Sequence, residues 1–150
     1  LDYGCGKGNL ARKMPWPIKE YDPAIPGKTH APEPADLVIC RDVLEHVEPE
    51  YLSAVLEDLV RCVKRLGIVM TATGPSWDIL PDGRNAHLLQ RSTEWWIETL
   101  SQHFRIVWGH KYHQITGKGH CMFIGAFSLL FVVKPKLKEN DNGSRRSECR

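Results

Sequence analysis

The opening eight residues, Leu1-Asp2-Tyr3-Gly4-Cys5-Gly6-Lys7-Gly8, carry the densest chemical pattern in the chain. Three glycines on alternate positions leave the backbone free to take positive φ, and with no Cβ a ligand can come close to the main chain. An apolar-led start and a helical composition from Asn9 to Met14 predict a strand, a glycine turn and a helix N-terminus, an order that binds nucleotides. The spacing is G-x-G-x-G. Asn9 stands where a dinucleotide fingerprint has its third glycine, and the Lys-Ser/Thr pair of a phosphate loop is missing.

Asp22 is the next chemical position. It lies 18 residues beyond Gly4, at the end of a short alternating segment (Ile18 to Asp22) that reads as the second strand and stops at Pro23, Pro26 and Gly27. Nucleotide-binding α/β folds place an acid there because a carboxylate can accept a hydrogen bond from each of two vicinal ribose hydroxyls. A turn-starting Asp-Pro is the other reading of Asp22. Glu20 points the same way on the strand and stays open as an alternative.

The third group is Arg41-Asp42-Val43-Leu44-Glu45-His46, which follows an apolar run of strand length, Leu37 to Cys40. The fourth lies in Gly74 to Gln90, the longest stretch without a period, with Asp82, Arg84, Asn85 and His87 between Pro75, Pro81 and Gly83. Long aperiodic loops in compact domains tend to be functional, and Trp77 and the leucines here argue against disorder.

Together these groups resemble the class I S-adenosylmethionine-dependent methyltransferases. Residues 1–8 are similar to that family's first motif (hydrophobic-Asp-x-Gly-x-Gly-x-Gly), and 35–47 to its fourth-strand segment ending in Leu-Glu-His. Asn85-Ala86-His87-Leu88 looks like the segment that faces the acceptor in its small-molecule members. The resemblance implies methyl transfer with S-adenosylmethionine as cofactor. It implies cofactor contacts from Asp2, Gly4, Cys5, Gly6, Gly8, Asp22, Pro23, Arg41, Asp42 and Val43, and an acceptor wall with Asp82, Asn85 and His87 as catalytic candidates. His87 is the residue of that loop suited to taking a proton near neutral pH, with a loop anchor as its alternative. Glu45 and His46 have a plain alternative too, bracing the next helix. A non-catalytic binding protein of the same fold remains a second reading, and a nicotinamide oxidoreductase a third that the glycine spacing disfavours.

The elements that must position these groups predict a Rossmann-like α/β fold. The expected sheet is doubly wound, mostly parallel, and closed by a C-terminal antiparallel hairpin from Arg105 to Ile115 and Cys121 to Val133. Pro49 starts a helix whose stripe Leu52, Val55, Leu56, Leu59, Val60 and Val63 packs on the sheet and which Gly67 should end. Ile68 to Thr73 then reads as a strand, and Ser92 caps a helix running to about Phe104. Gly27 to Ala35 is too short for the family's usual helix and third strand, so a compressed crossover is expected. The aromatic stretch Trp108 to His113 reads as strand residues facing a helix layer.

At 150 residues and 42% apolar, the chain fits one domain, 1–133, followed by a charged disordered tail, 134–150. The net charge of +2 resides in that tail, which carries +3, so the body gives no electrostatic case for a polyanion. Without an Asp/Asn-Pro-Pro-Tyr/Phe motif, polymeric nucleic acid is further disfavoured, and a small molecule is the expected substrate. Five cysteines without C-x-x-C spacing suit reduced thiols in a cytoplasmic protein better than disulfides, and no metal site is read. The apolar run from Met122 to Val133 is too short to span a bilayer. A chain opening at Leu1 inside a strand reads as a fragment, and its oligomeric state is not legible.

Overall fold

The computed structural model describes residues 1–112 and 128–136. Among these residues six strands, β1 (Asp2–Tyr3), β2 (Glu20–Tyr21), β3 (Ala35–Arg41), β4 (Val63–Ala72), β5 (Phe104–Tyr112) and β6 (Ser128–Pro135), form one sheet in the order β2-β1-β3-β4-β6-β5. The first four are mutually parallel, and β6 runs antiparallel to both β4 and β5. This is the Rossmann-like α/β sheet with a closing antiparallel pair. The span between β2 and β3 holds turns alone, so the crossover is compressed as expected.

Among the described residues, two α-helices complete the core. Helix α1 (Leu52–Cys62) buries Leu52, Leu56, Leu59 and Cys62, one face at helical spacing. Helix α2 (Thr93–His103) is capped by Ser92, whose hydroxyl accepts the Trp95 N–H at 3.2 Å, and buries Trp96 and Leu100. Both helices meet Val38, Cys40, Val69, Leu129, Phe131 and Val133 in one apolar cluster. Alternation along the strands sends Leu37, Ile39, Ile68, Leu130 and Val132 to the opposite face.

Four local expectations change. The segment after the glycine loop makes one 3-10 turn, Ala11–Lys13, instead of an α-helix. Pro15 and Pro17 leave too few residues to repay helix nucleation. Helix α1 ends at Cys62, and Gly67 lies inside β4. A Cβ at Gly67 would come within 2.8 Å of Val133, so glycine here serves strand packing and is no helix stop. Strand β6 runs on to Pro135, so Lys134 and Pro135 belong to the sheet rather than to a tail. The turn at 116–119 and the tail from 137 lie outside the described residues. Finally, Trp108 pairs with Val132 on the face away from the helices, half exposed and stacked on His110 at 5.7 Å. A register shift between Ile106 and Trp108 puts it there.

Trp96 is fully buried, and its indole Nε1 has no hydrogen-bond partner among the described residues. An unmet buried donor costs about 1–3 kcal/mol, comparable with the packing lost in trimming the ring. Trp96→Phe should therefore change unfolding free energy by less than about 1 kcal/mol in a urea titration. A loss of about 3 kcal/mol or more would give that N–H a partner.

Candidate functional site

Strand β1 pairs with β2 on one side and β3 on the other, so the chain changes winding direction between β1 and β3. In open α/β sheets ligands bind at the carboxyl ends of strands at such a switch point. The glycine loop and the Arg41-Asp42-Val43 segment both emerge there.

Each loop glycine has positive φ: +77° at Gly4, +51° at Gly6 and +77° at Gly8. Their surroundings differ. A Cβ on Gly4 would collide with the Val43 side chain, so the loop and the end of β3 close-pack through that glycine. A Cβ on Gly8 would collide with the Glu20 carboxylate, which is paired with Lys28 Nζ at 3.0 Å. A Cβ on Gly6 would meet nothing within 4 Å. Gly6 therefore presents bare backbone to open space.

Asp22 holds this shape. One carboxylate oxygen accepts the Gly6 N–H at 2.8 Å and the other the Ala24 N–H at 2.9 Å, which sets the turn containing Pro23. Lys28 Nζ donates to the Gly6 carbonyl at 3.2 Å, so both polar groups of Gly6 are tied from the β2 side. Each Asp22 oxygen keeps a further acceptor site. Glu20, the alternative acid, is committed to Lys28.

Across the crevice, Asp42 takes φ +54° and its N–H donates to the Met70 carbonyl at 3.0 Å. A non-glycine residue there is strained, a feature that clusters at ligand sites. Its carboxylate lies 3.6 Å from Arg41 Nε at the surface. Cys5 is buried, and burial pushes its thiol pKa up.

Asp2 is a buried carboxylate at the base of the loop, and desolvation pushes its pKa up. A raised native value means the folded state binds the proton more tightly than the unfolded one. Folding stability therefore falls as pH rises from the ordinary aspartate range to the native value. Asp2→Asn should flatten that slope, leaving the ligand-free variant at least as stable at pH 7. Thermal unfolding from pH 4 to 7 checks it, and an unchanged slope would remove Asp2 as its source.

The loop from Gly74 to Gln90 folds onto the Leu44–His46 turn. Asn85 braces it, accepting the Ser76 and His87 N–H groups at 2.9 Å each and donating to the Ser76 carbonyl. Leu89 N–H reaches the Glu45 carbonyl at 3.0 Å, and His46 Nδ1 meets the Ala86 carbonyl at 2.8 Å. His87 Nδ1 lies 2.6 Å from the Gly74 carbonyl. Because a carbonyl only accepts, each Nδ1 carries the proton, and in the neutral ring each Nε2 keeps its lone pair.

The two rings meet edge to face at 4.8 Å, with Glu45 beneath. Glu45 is buried, takes the Thr71 hydroxyl at 3.1 Å and the Ala72 N–H at 3.0 Å, and has its pKa pushed up by desolvation. Asp82 is elsewhere: it binds Arg84, whose guanidinium also forks onto Glu48 at 2.7 and 2.8 Å. His87 and Asn85 thus join the Glu45–His46 turn, whereas Asp82 belongs to a surface ion-pair group. The meeting of His46 with His87 has no local sequence signal, because 41 residues separate them.

The sequence profile of the methyltransferase domain matches residues 1–128, and the chain belongs to that family. Membership implies S-adenosylmethionine as cofactor. No curated protein matches the chain. Among solved structures, the chain is similar to the PH0226 protein of Pyrococcus horikoshii OT3 (16% identity, TM-score 0.46), covering 84% of this chain and 57% of that one. It is also similar to a SAM-dependent methyltransferase of Methanosarcina mazei (14% identity, TM-score 0.49), covering 71% and 61%. The chain thus spans less than two thirds of either protein. No helix among the described residues is long and apolar enough to cross a membrane.

Proposed function

We propose that this domain transfers a methyl group from S-adenosylmethionine to an oxygen or nitrogen of a small-molecule acceptor in the cytoplasm. The observation that carries the reading is the loop itself: a bare, positive-φ Gly6 at the switch point, pinned by Asp22. The cofactor supplies an electrophilic methyl on a sulfonium, whose sulfur leaves as a neutral thioether, so the protein's main task is alignment.

In this reading Gly6 gives room to the methionine part of the cofactor, in a loop whose backbone at Gly4, Cys5 and Gly8 forms the rest of the contact, with Asp2 at the loop base. Asp22 and Pro23 meet the ribose, and Arg41, Asp42 and Val43 form the facing wall. Residues 80–88 form the acceptor wall, where Asn85 sets the loop, Asp82 fixes its outer turn and His87 Nε2 accepts a hydrogen bond from an acceptor hydroxyl.

Calorimetric titration with S-adenosylhomocysteine and with NAD tests cofactor choice; binding of NAD alone would sink the proposal. Transfer of labelled methyl groups to a metabolite extract then tests turnover. Cofactor binding with no labelled product would favour the non-catalytic reading. His87→Gln should lower turnover about fivefold, the effect of one positioning hydrogen bond of about 1 kcal/mol, with cofactor affinity within about twofold. Unchanged turnover would reduce His87 to an anchor of the loop.

A further inference from the structure

The Glu45–His46–His87 cluster is a donor set in search of an ion. One ligand atom from each residue lies within 4.8 Å of the other two. We infer that these three side chains bind a single divalent transition-metal cation of the zinc, manganese or iron(II) kind. No local spacing in the chain points to it, since the cysteines lack metal spacing and the two histidines lie far apart.

Three observations bear on the inference. The donor set is two imidazoles and one carboxylate, the composition of open metal sites that keep positions free for a further ligand. The Nδ1 of each histidine is tied to a backbone carbonyl, Ala86 for His46 and Gly74 for His87. That is the outer partner a metal-bound imidazole characteristically has, and it turns both Nε2 lone pairs away from the backbone. The Glu45 carboxylate is likewise oriented from behind, by the Thr71 hydroxyl and the Ala72 N–H, with acceptor capacity left over.

Ligand atoms around a tetrahedral zinc at about 2.0–2.1 Å stand roughly 3.4 Å apart. Closing the cluster onto an ion therefore asks for small side-chain shifts, and His46 is the solvent-exposed member able to make them. Insofar as the methyl-transfer reading holds, a loaded site commits the His87 lone pair to the ion and orients an acceptor oxygen through the metal rather than through the ring.

The test uses the untagged full chain stripped with a chelator and dialysed, with no methyl donor present, so its result is independent of any methyl transfer. Titration with Zn²⁺ and separately with Mn²⁺ should give one equivalent bound by at least one of them, with a rise in unfolding temperature. Losing an outer partner of a metal ligand already costs about 10–100-fold in affinity, so His46→Ala and His87→Ala should each cost at least tenfold. Circular dichroism confirms that both variants stay folded. Co²⁺ loading should give visible d–d bands without thiolate charge-transfer absorption. No saturable binding, undiminished binding in both variants, or a thiolate band would each overturn the assignment.

Discussion

Gly6→Val should abolish binding of S-adenosylhomocysteine and leave the protein folded. A side chain at Gly6 meets no atom of the protein within 4 Å, so it clashes with nothing inside the fold. Its cost to folding is the left-handed backbone at φ +51°, about 1–2 kcal/mol for a residue with a Cβ and somewhat more for a branched one. The same branched side chain fills the space where a ligand must touch the loop, and the expected loss of affinity is 100-fold or more, about 2.7 kcal/mol. Gly83→Val is the control for backbone strain in cofactor binding, since Gly83 has φ +85° and an equally open Cβ position but belongs to the proposed acceptor loop rather than the glycine loop. Calorimetry on both variants reads the difference. Equal affinities in wild type and Gly6→Val would remove the loop from the cofactor site.

The second large effect belongs to Asp22. Asp22→Ala deletes two charge-assisted hydrogen bonds to the backbone and, in the proposed complex, the ribose contacts as well. Hydrogen bonds to charged groups are each worth about 1.5–3 kcal/mol, so affinity for S-adenosylhomocysteine should fall at least about tenfold. Asp22→Asn, which can still accept but carries no charge, should fall in between. Glu20→Ala should weaken binding less, because it removes a partly exposed pair with Lys28. A large effect at Glu20 with none at Asp22 would exchange their roles.

Much of this site is local, and that is why it was legible. A glycine loop and an acid 18 residues on encode a strand, a turn and the end of a neighbouring strand within one short stretch. The apolar run at Leu37 to Cys40 and the stripe from Leu52 to Leu59 are likewise periodic signals of single elements. What failed depends on partners distant in sequence. Gly67 reads as a helix stop until Val133 is laid against it. Trp108 reads as core until the register shift of β5 turns it outward. Glu45 and His46 kept two readings because their neighbour His87 reaches them only through the folding of a loop. The six residues from Asn9 to Met14 have helical composition but lack the length that helical cooperativity demands.

The double tie on Gly6 has a kinetic meaning. Asp22 and Lys28 fix the peptide groups on both sides of that residue before any ligand arrives. The ordering entropy of the loop is then spent during folding and is not charged again at binding. A site whose competent form already dominates the free population loses no affinity to a conformational pre-equilibrium. In the proposed complex, ligand capture at the glycine loop should then be a single-step encounter, and stopped-flow mixing with S-adenosylhomocysteine should give an observed rate that rises linearly with concentration.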